Sequence, residues 1–206
     1  MKATMKTLSA ILICCFISTI QMYGENIQRP ESENYVKGVE ALNEGNPEAA
    51  YTYLNAEINE HPDNGYAHCY MALICNFCND TKLALQALNS SLELIPEADT
   101  EYRSFAHYSR GVLLTNLKMW KRAEADLNEA IRLNPEDVEN YKSRAQLYFE
   151  TERYEESLND LTRALKLDSK ADVNDLVLQL MAVAPTSEFM ERITATYQQL
   201  DQVTIH

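Results

Sequence analysis

The strongest constraint on this chain is a spacing. Pro62 and Pro96 lie 34 residues apart, and Pro135 follows after 39. Each closes a similar phrase: Ile58-Asn59-Glu60-His61-Pro62, Leu92-Glu93-Leu94-Ile95-Pro96 and Ile131-Arg132-Leu133-Asn134-Pro135. A fourth copy, Leu165-Lys166-Leu167-Asp168-Ser169, ends 34 residues after Pro135 with serine in place of proline. A fixed period of this size predicts stacked supersecondary units, each burying one face against the next. Counting back from the anchors gives repeats over 31–64, 65–98, 104–137 and 138–171, with a five-residue insertion at 99–103.

Three frame positions state what each unit is. The eighth is always small: Gly38, Ala72, Gly111 and Ala145. The twentieth is small as well: Ala50, Ala84, Ala123 and Ser157. The twenty-fourth is leucine throughout: Leu54, Leu88, Leu127 and Leu161. Small residues let two helix axes approach, and a leucine four residues further along fills the seam. The pattern therefore predicts antiparallel helix hairpins, with turns at Gly45-Asn46-Pro47 and Asn79-Asp80-Thr81 and with proline stopping the second helix. The expected fold class is all-α.

This pattern resembles the tetratricopeptide repeat family over residues 31–171. Repeat three carries it in Gly111, Trp120, Ala123, Leu127, Ala130 and Pro135, and repeat four in Ala145, Tyr148, Tyr154, Ser157, Leu161 and Ala164. Repeat one departs from it with Lys37 where the family favours leucine and Glu57 where it favours alanine. The resemblance implies an α-solenoid of stacked antiparallel hairpins wound as a right-handed superhelix. Beyond residue 171 the frame fades while helical periodicity persists. Val173, Leu176, Val177, Leu180, Met181 and Ala184 form one apolar face, Pro185-Thr186-Ser187 breaks the chain, and Met190, Ile193, Tyr197 and Leu200 form a second face. Residues 172–206 are expected to form a degenerate fifth hairpin that caps repeat four, although its crossing positions would be Gln179 and Glu191, neither of them small.

The first 24 residues read as an address. Lys2 and Lys6 precede the uncharged apolar stretch Leu8 to Ile20, and Gly24 offers a small residue for cleavage. Such a stretch is short for a membrane span, so a secretory signal over 1–24 and a linker over 25–30 are expected, with no integral span in the mature chain. Cys14 and Cys15 lie inside the apolar core, not at its end, which disfavours lipid anchoring. The expected location is exported, periplasmic or secreted; the periplasmic choice follows the family resemblance alone.

Composition and motifs limit the chemistry. Only 5 glycines are present, and neither a G-x-G-x-x-G nor a Walker A string occurs, which leaves little room for phosphate-binding loops. With 31 acidic against 18 basic residues, nucleic acid is not an expected partner. No catalytic motif stands out, so no catalytic residue, metal or cofactor is assigned and the chain is read as a non-enzyme. The rival is a thiol-based redox or metal-binding protein using Cys75 and Cys78, with His68 and Cys69 nearby in sequence. The plainer reading of Cys75 is buried filler between helices.

The family resemblance places a partner-binding groove along the first helix of each repeat. Its candidate residues are Tyr35, Val39 and Leu42, then Tyr66, Leu73 and Asn76, then Phe105, Tyr108, Val112 and Thr115, and finally Lys142, Gln146 and Phe149. Cys69 and Glu139 share these frame positions. Aromatic residues recur at protein interfaces, so the expected partner is a protein or an extended peptide segment. Tyr35 and Val39 stand where family members that hold acidic peptides begin a lysine and asparagine clamp. The alternative is that the chain's own terminal segments fill the groove, or that the aromatics pack among themselves.

Overall fold

Turn chemistry sets the hairpins. Gly45, Asn79, Lys118 and Glu152 share one frame position, and each has a positive φ of 71°, 61°, 58° and 61° respectively. Around each, the last turn of the preceding helix closes in the same way. Asn46 N donates to Ala41 O at 2.8 Å, Asp80 N to Cys75 O at 2.8 Å, Met119 N to Leu114 O at 2.9 Å and Arg153 N to Tyr148 O at 2.8 Å. This six-to-one bond with a left-handed residue inside it is the Schellman termination, which satisfies carbonyls the helix would otherwise leave open.

The computed structural model describes residues 27–184 and 186–203. Among them are ten helices and no strand. The first hairpin is α1 (Glu33–Asn43) with α2 (Pro47–Glu60), and the second is α3 (Gly65–Phe77) with α4 (Thr81–Leu94). The third pairs α5 (Thr100–Asn116) with α6 (Trp120–Leu133), and the fourth α7 (Val138–Glu150) with α8 (Tyr154–Leu167). The last is α9 (Asn174–Val183) with α10 (Ser187–Val203). In the first four, every first helix ends, and every second helix starts and ends, at the same frame position. The insertion at 99–103 lengthens α5 at its start, where Asp99 Oδ1 accepts from Tyr102 N and caps the helix.

The chain divides into two compact units, one up to Ser109 and one from Arg110. In unit one, α1 packs on α2, α2 on α3, and α3 on α4. The crossing is tight: a Cβ added to Gly38 would stand 2.7 Å from Leu54 Cγ. Ala50, Leu54, Ala84 and Leu88 are buried at the seams, each leucine contributing about 2 kcal/mol of burial. Gly65 has a packing role. Its missing side chain lets α3 begin against the end of α4, where a Cβ would meet Ile95 N at 2.8 Å. The open carbonyls of Leu92 and Ile95 accept from Arg103 Nη1 at 2.9 and 3.0 Å.

In unit two, Gly111 repeats the Gly38 geometry, with an added Cβ 2.7 Å from Leu127 Cγ. Ser157 turns its small-residue position into a bond, donating Oγ–H to Ala145 O at 2.8 Å. Both α9 and α10 pack on α8, so that Val173, Leu176, Val177, Leu180, Phe189 and Ile193 close over Tyr141, Ala145, Leu158, Leu161 and Ala164. The apolar face of α10 differs from the expected one. Phe189 is the buried anchor and Met190 is half-buried, because Thr186, whose Oγ1 accepts from Phe189 N, sets the helix entry. The side chains of Tyr197 and Leu200 lie outside the described residues. Gln179 and Glu191 are both exposed, so the close crossing of the other hairpins is not repeated there. No helix among the described residues is long and apolar enough to cross a membrane. The expected signal, 1–24, lies outside the described residues.

Candidate functional site

The candidate groove residues sort by position along the first helices. Tyr35, Tyr66, Phe105 and Tyr108, which sit toward the helix starts, are buried, as is Leu42. Val39, Leu73, Val112, Thr115, Lys142, Gln146 and Phe149 are partly exposed, and Asn76 is exposed. Tyr35, Tyr66, Phe105 and Tyr108 therefore pack within the protein, and the apolar side chains left partly accessible, Val39, Leu73, Val112 and Phe149, lie in the later half of their helices.

In unit one the buried tyrosines form a cluster. Tyr35 and Tyr70 rings lie 6.1 Å apart, the Tyr70 and Tyr102 hydroxyls share a hydrogen bond of 2.9 Å, and the Tyr66 ring meets Tyr102 edge-on at 4.8 Å. Tyr66 OH donates to Asp99 Oδ2 at 3.0 Å. Above this cluster sits Arg29, from the segment before α1. Its guanidinium donates to Asp99 at 3.2 and 3.4 Å and to Glu101 Oε2 at 3.0 Å, and lies 4.6 Å over the Tyr102 ring. Burial pushes the phenols of Tyr35, Tyr66, Tyr70 and Tyr102 well above their ordinary range. Burial works against the Arg29 charge, but hydrogen bonds to Asp99 and Glu101 outweigh it and hold its pKa above the ordinary value. The sequence reading missed Arg29, Asp99, Glu101, Tyr70 and Tyr102. The signal was the insertion itself, since Asp99, Glu101 and Tyr102 all fall within 99–103.

Repeat one's departure at Glu57 is a buried carboxylate, 1 % exposed. Its Oε1 accepts from Asn64 Nδ2 at 2.8 Å, while Oε2 is buried without a hydrogen bond. Asn64 in turn accepts from Ala67 N and caps α3.

In unit two the polar candidates are held locally. Thr115 Oγ1 donates to Gly111 O at 2.9 Å, Lys142 Nζ pairs with Glu139 at 2.7 Å, and Gln146 Nε2 donates to Glu150 at 3.0 Å. Phe149 leans on Tyr154 with ring centroids 5.7 Å apart. Across each hairpin runs a two-pronged ion pair, Arg110 to Asp126 and Arg144 to Asp160, each with bonds of 2.7 and 2.8 Å. These residues occupy the seventh and twenty-third frame positions. Repeat one has Lys37 over the Tyr53 ring there, at 5.7 Å, and repeat two has Met71 and Ala87. The sixteen-residue spacing of arginine and aspartate was visible in the sequence as a pattern of charge.

The thiol alternative gains no support. Cys69 and Cys75 are buried and Cys78 is exposed, all three as free thiols. Burial pushes the Cys69 thiol up to about 12 and raises Cys75, the opposite of what a reactive thiolate needs. Among the described residues no group of three or more His, Cys, Asp or Glu side chains is placed to hold a metal ion.

The repeated crossing, turn and cap geometry defines an all-α repeat protein of the solenoid class. Residues 106–137 and 139–170 match the model of the tetratricopeptide repeat. Human tetratricopeptide repeat protein 6 is 24 % identical over 143 residues, 69 % of this chain and 26 % of that protein. The lipoprotein NlpI homolog of Haemophilus influenzae is 30 % identical over 87 residues, 42 % of this chain and 28 % of that protein. The chain thus spans about a quarter of the length of these relatives. The solved structure of MamA from Desulfovibrio magneticus aligns with a TM-score of 0.67 at 18 % identity, covering 83 % of this chain and 93 % of that one. Residues 106–170 of the chain thus carry two tetratricopeptide repeats.

Proposed function

We propose that the chain is a non-enzymatic interaction scaffold or assembly factor of the cell envelope, holding a protein or an extended peptide segment against the first-helix faces of its repeats. The observation that carries this reading is the partial exposure of Val39, Leu73, Val112 and Phe149. The close crossings at positions eight, twenty and twenty-four already supply the hairpin seams. Val39, Leu73 and Val112 directly follow the small crossing residues, and they and Phe149, which also leans on Tyr154, keep part of their apolar surface open to another molecule. The tetratricopeptide repeats and the likeness to MamA support a scaffold over an enzyme. The apolar stretch Leu8 to Ile20 and the partial match to a lipoprotein homolog support an envelope location.

The test is capture from envelope fractions with purified chain and with the Val112→Glu/Phe149→Glu variant. Proteins retained by the first and lost by the folded second support the reading. Identical retention by both overturns it. Tyr66 and Tyr108 are unsuitable for this purpose, because both are buried and their truncation would unsettle packing.

A further inference from the structure

The insertion at 99–103 has no counterpart in the other three frames, and it supplies Asp99, Glu101 and Tyr102 together. Asp99 is 1 % exposed, yet its carboxylate receives two donors of a guanidinium, the Tyr66 hydroxyl and the Tyr102 backbone N–H. A two-donor fork on a buried carboxylate, a second carboxylate beside it and an aromatic ring beneath are the elements of selective guanidinium recognition. The group seated there belongs to a short run, 27–32, with no regular secondary structure, and a quarter of the Arg29 side chain faces solvent. A charge so placed competes with any rival at the effective concentration of a tethered group, on the order of millimolar.

We infer that the Asp99–Glu101–Tyr102 cluster is a guanidinium site that Arg29 fills, and that a partner's segment enters unit one by putting an arginine in Arg29's place. The partner is a basic peptide segment: an arginine on an extended chain meets a protein with a net charge of -13. Leu73 and Val39, on first helices of the same unit, are partly exposed. This inference rests on the first-helix face being a binding surface, and it names the chemistry of what binds.

The test uses the whole chain and N-acetylarginine amide as probe, followed by calorimetry, with N-acetylcitrulline amide as the uncharged match. The Arg29→Ala protein is expected to bind the arginine probe at least tenfold more tightly than the unsubstituted chain, and to ignore citrulline. Adding Asp99→Asn to Arg29→Ala abolishes that gain. Should Arg29→Ala fail to fold, Arg29→Lys serves, since it keeps a charge but loses the fork, and it too gains affinity for the probe. Equal binding by substituted and unsubstituted chains, or equal binding of arginine and citrulline, overturns the inference and leaves Arg29 a clip that only ties down the segment before α1. No partner is needed, so that failure is distinct from failure of the capture experiment.

Discussion

Gly111 and Leu127 meet so closely that a methyl group on the glycine would stand 2.7 Å from the leucine Cγ. Alanine occupies the same frame position in repeats two and four, as Ala72 and Ala145, against Leu88 and Leu161. The crossing thus has two settings, and a hairpin built for glycine has to open slightly to accept alanine. Replacing Gly111 by Ala gains about 1 kcal/mol of helix propensity and loses a similar amount to overpacking. Urea unfolding of Gly111→Ala should show a change below about 1 kcal/mol. Gly111→Val cannot turn its branch away and should cost about 3 kcal/mol. A tolerated valine would refute the close crossing.

The four turns make the second prediction. Gly45, with φ 71°, has open space around its Cα, so a side chain there meets strain only from the backbone. Gly45→Ala should lower stability by about 1 kcal/mol. Glu152 holds φ 61° with a side chain in place. Glu152→Gly should raise stability by a few tenths of a kcal/mol, since relief of strain exceeds the added freedom of the unfolded chain only slightly. Thermal midpoints moving in the opposite directions would contradict the shared termination.

Arg144 and Asp160 give the third. Both are largely buried and joined by two short bonds. Asp160→Ala deprives the guanidinium of its carboxylate, with Asn128 Oδ1 still accepting from it, and should cost roughly 3 kcal/mol. Repeat two fills the same positions with Met71 and Ala87. The double substitution Arg144→Met/Asp160→Ala should therefore recover most of the loss. A double variant as unstable as the single one would show that the pair itself, and not the charge left without its carboxylate, sets the stability.

The tyrosine cluster makes a prediction about alkaline pH. Tyr35, Tyr66, Tyr70 and Tyr102 are held protonated by burial, whereas an unfolded tyrosine ionises near pH 10. Above that pH the unfolded chain releases protons that the folded chain retains. Stability contributed by the cluster is therefore full below about pH 10 and declines as pH rises past it. Absorbance at the tyrosinate band should leave these four phenols silent until unfolding. Their smooth titration in a folded protein at pH 10 would contradict the packing.

What could be read from the sequence, and what could not, follows from how each feature repeats. Gly38 with Leu54 and Gly111 with Leu127 were readable because a close crossing admits few residue types and recurs each 34 to 39 residues. The arginine–aspartate pair recurs in only two of the four repeats, so it marks the period less plainly than the small and apolar positions do. Asp137 shows a further limit. Its carboxyl is raised by burial while it accepts from Glu139 N, a balance that residue type alone does not reveal. The Arg29–Asp99 contact spans 70 residues and occurs once, so no periodicity could expose it. Phe189 displaced Met190 as anchor for a similar reason: beyond residue 171 there was no second copy to set the register.

The central claim is that partners bind along the first-helix faces, toward the helix ends. Photo-crosslinking in envelope fractions tests it most directly, with a photoreactive residue placed in turn at Val39, Val112, Phe149 and, on a second helix, the exposed Leu83. The account predicts one common protein crosslinked from the three first-helix positions and little from Leu83. Equal yield from Leu83, or no crosslink from Val39, Val112 and Phe149 in the folded chain, would contradict it.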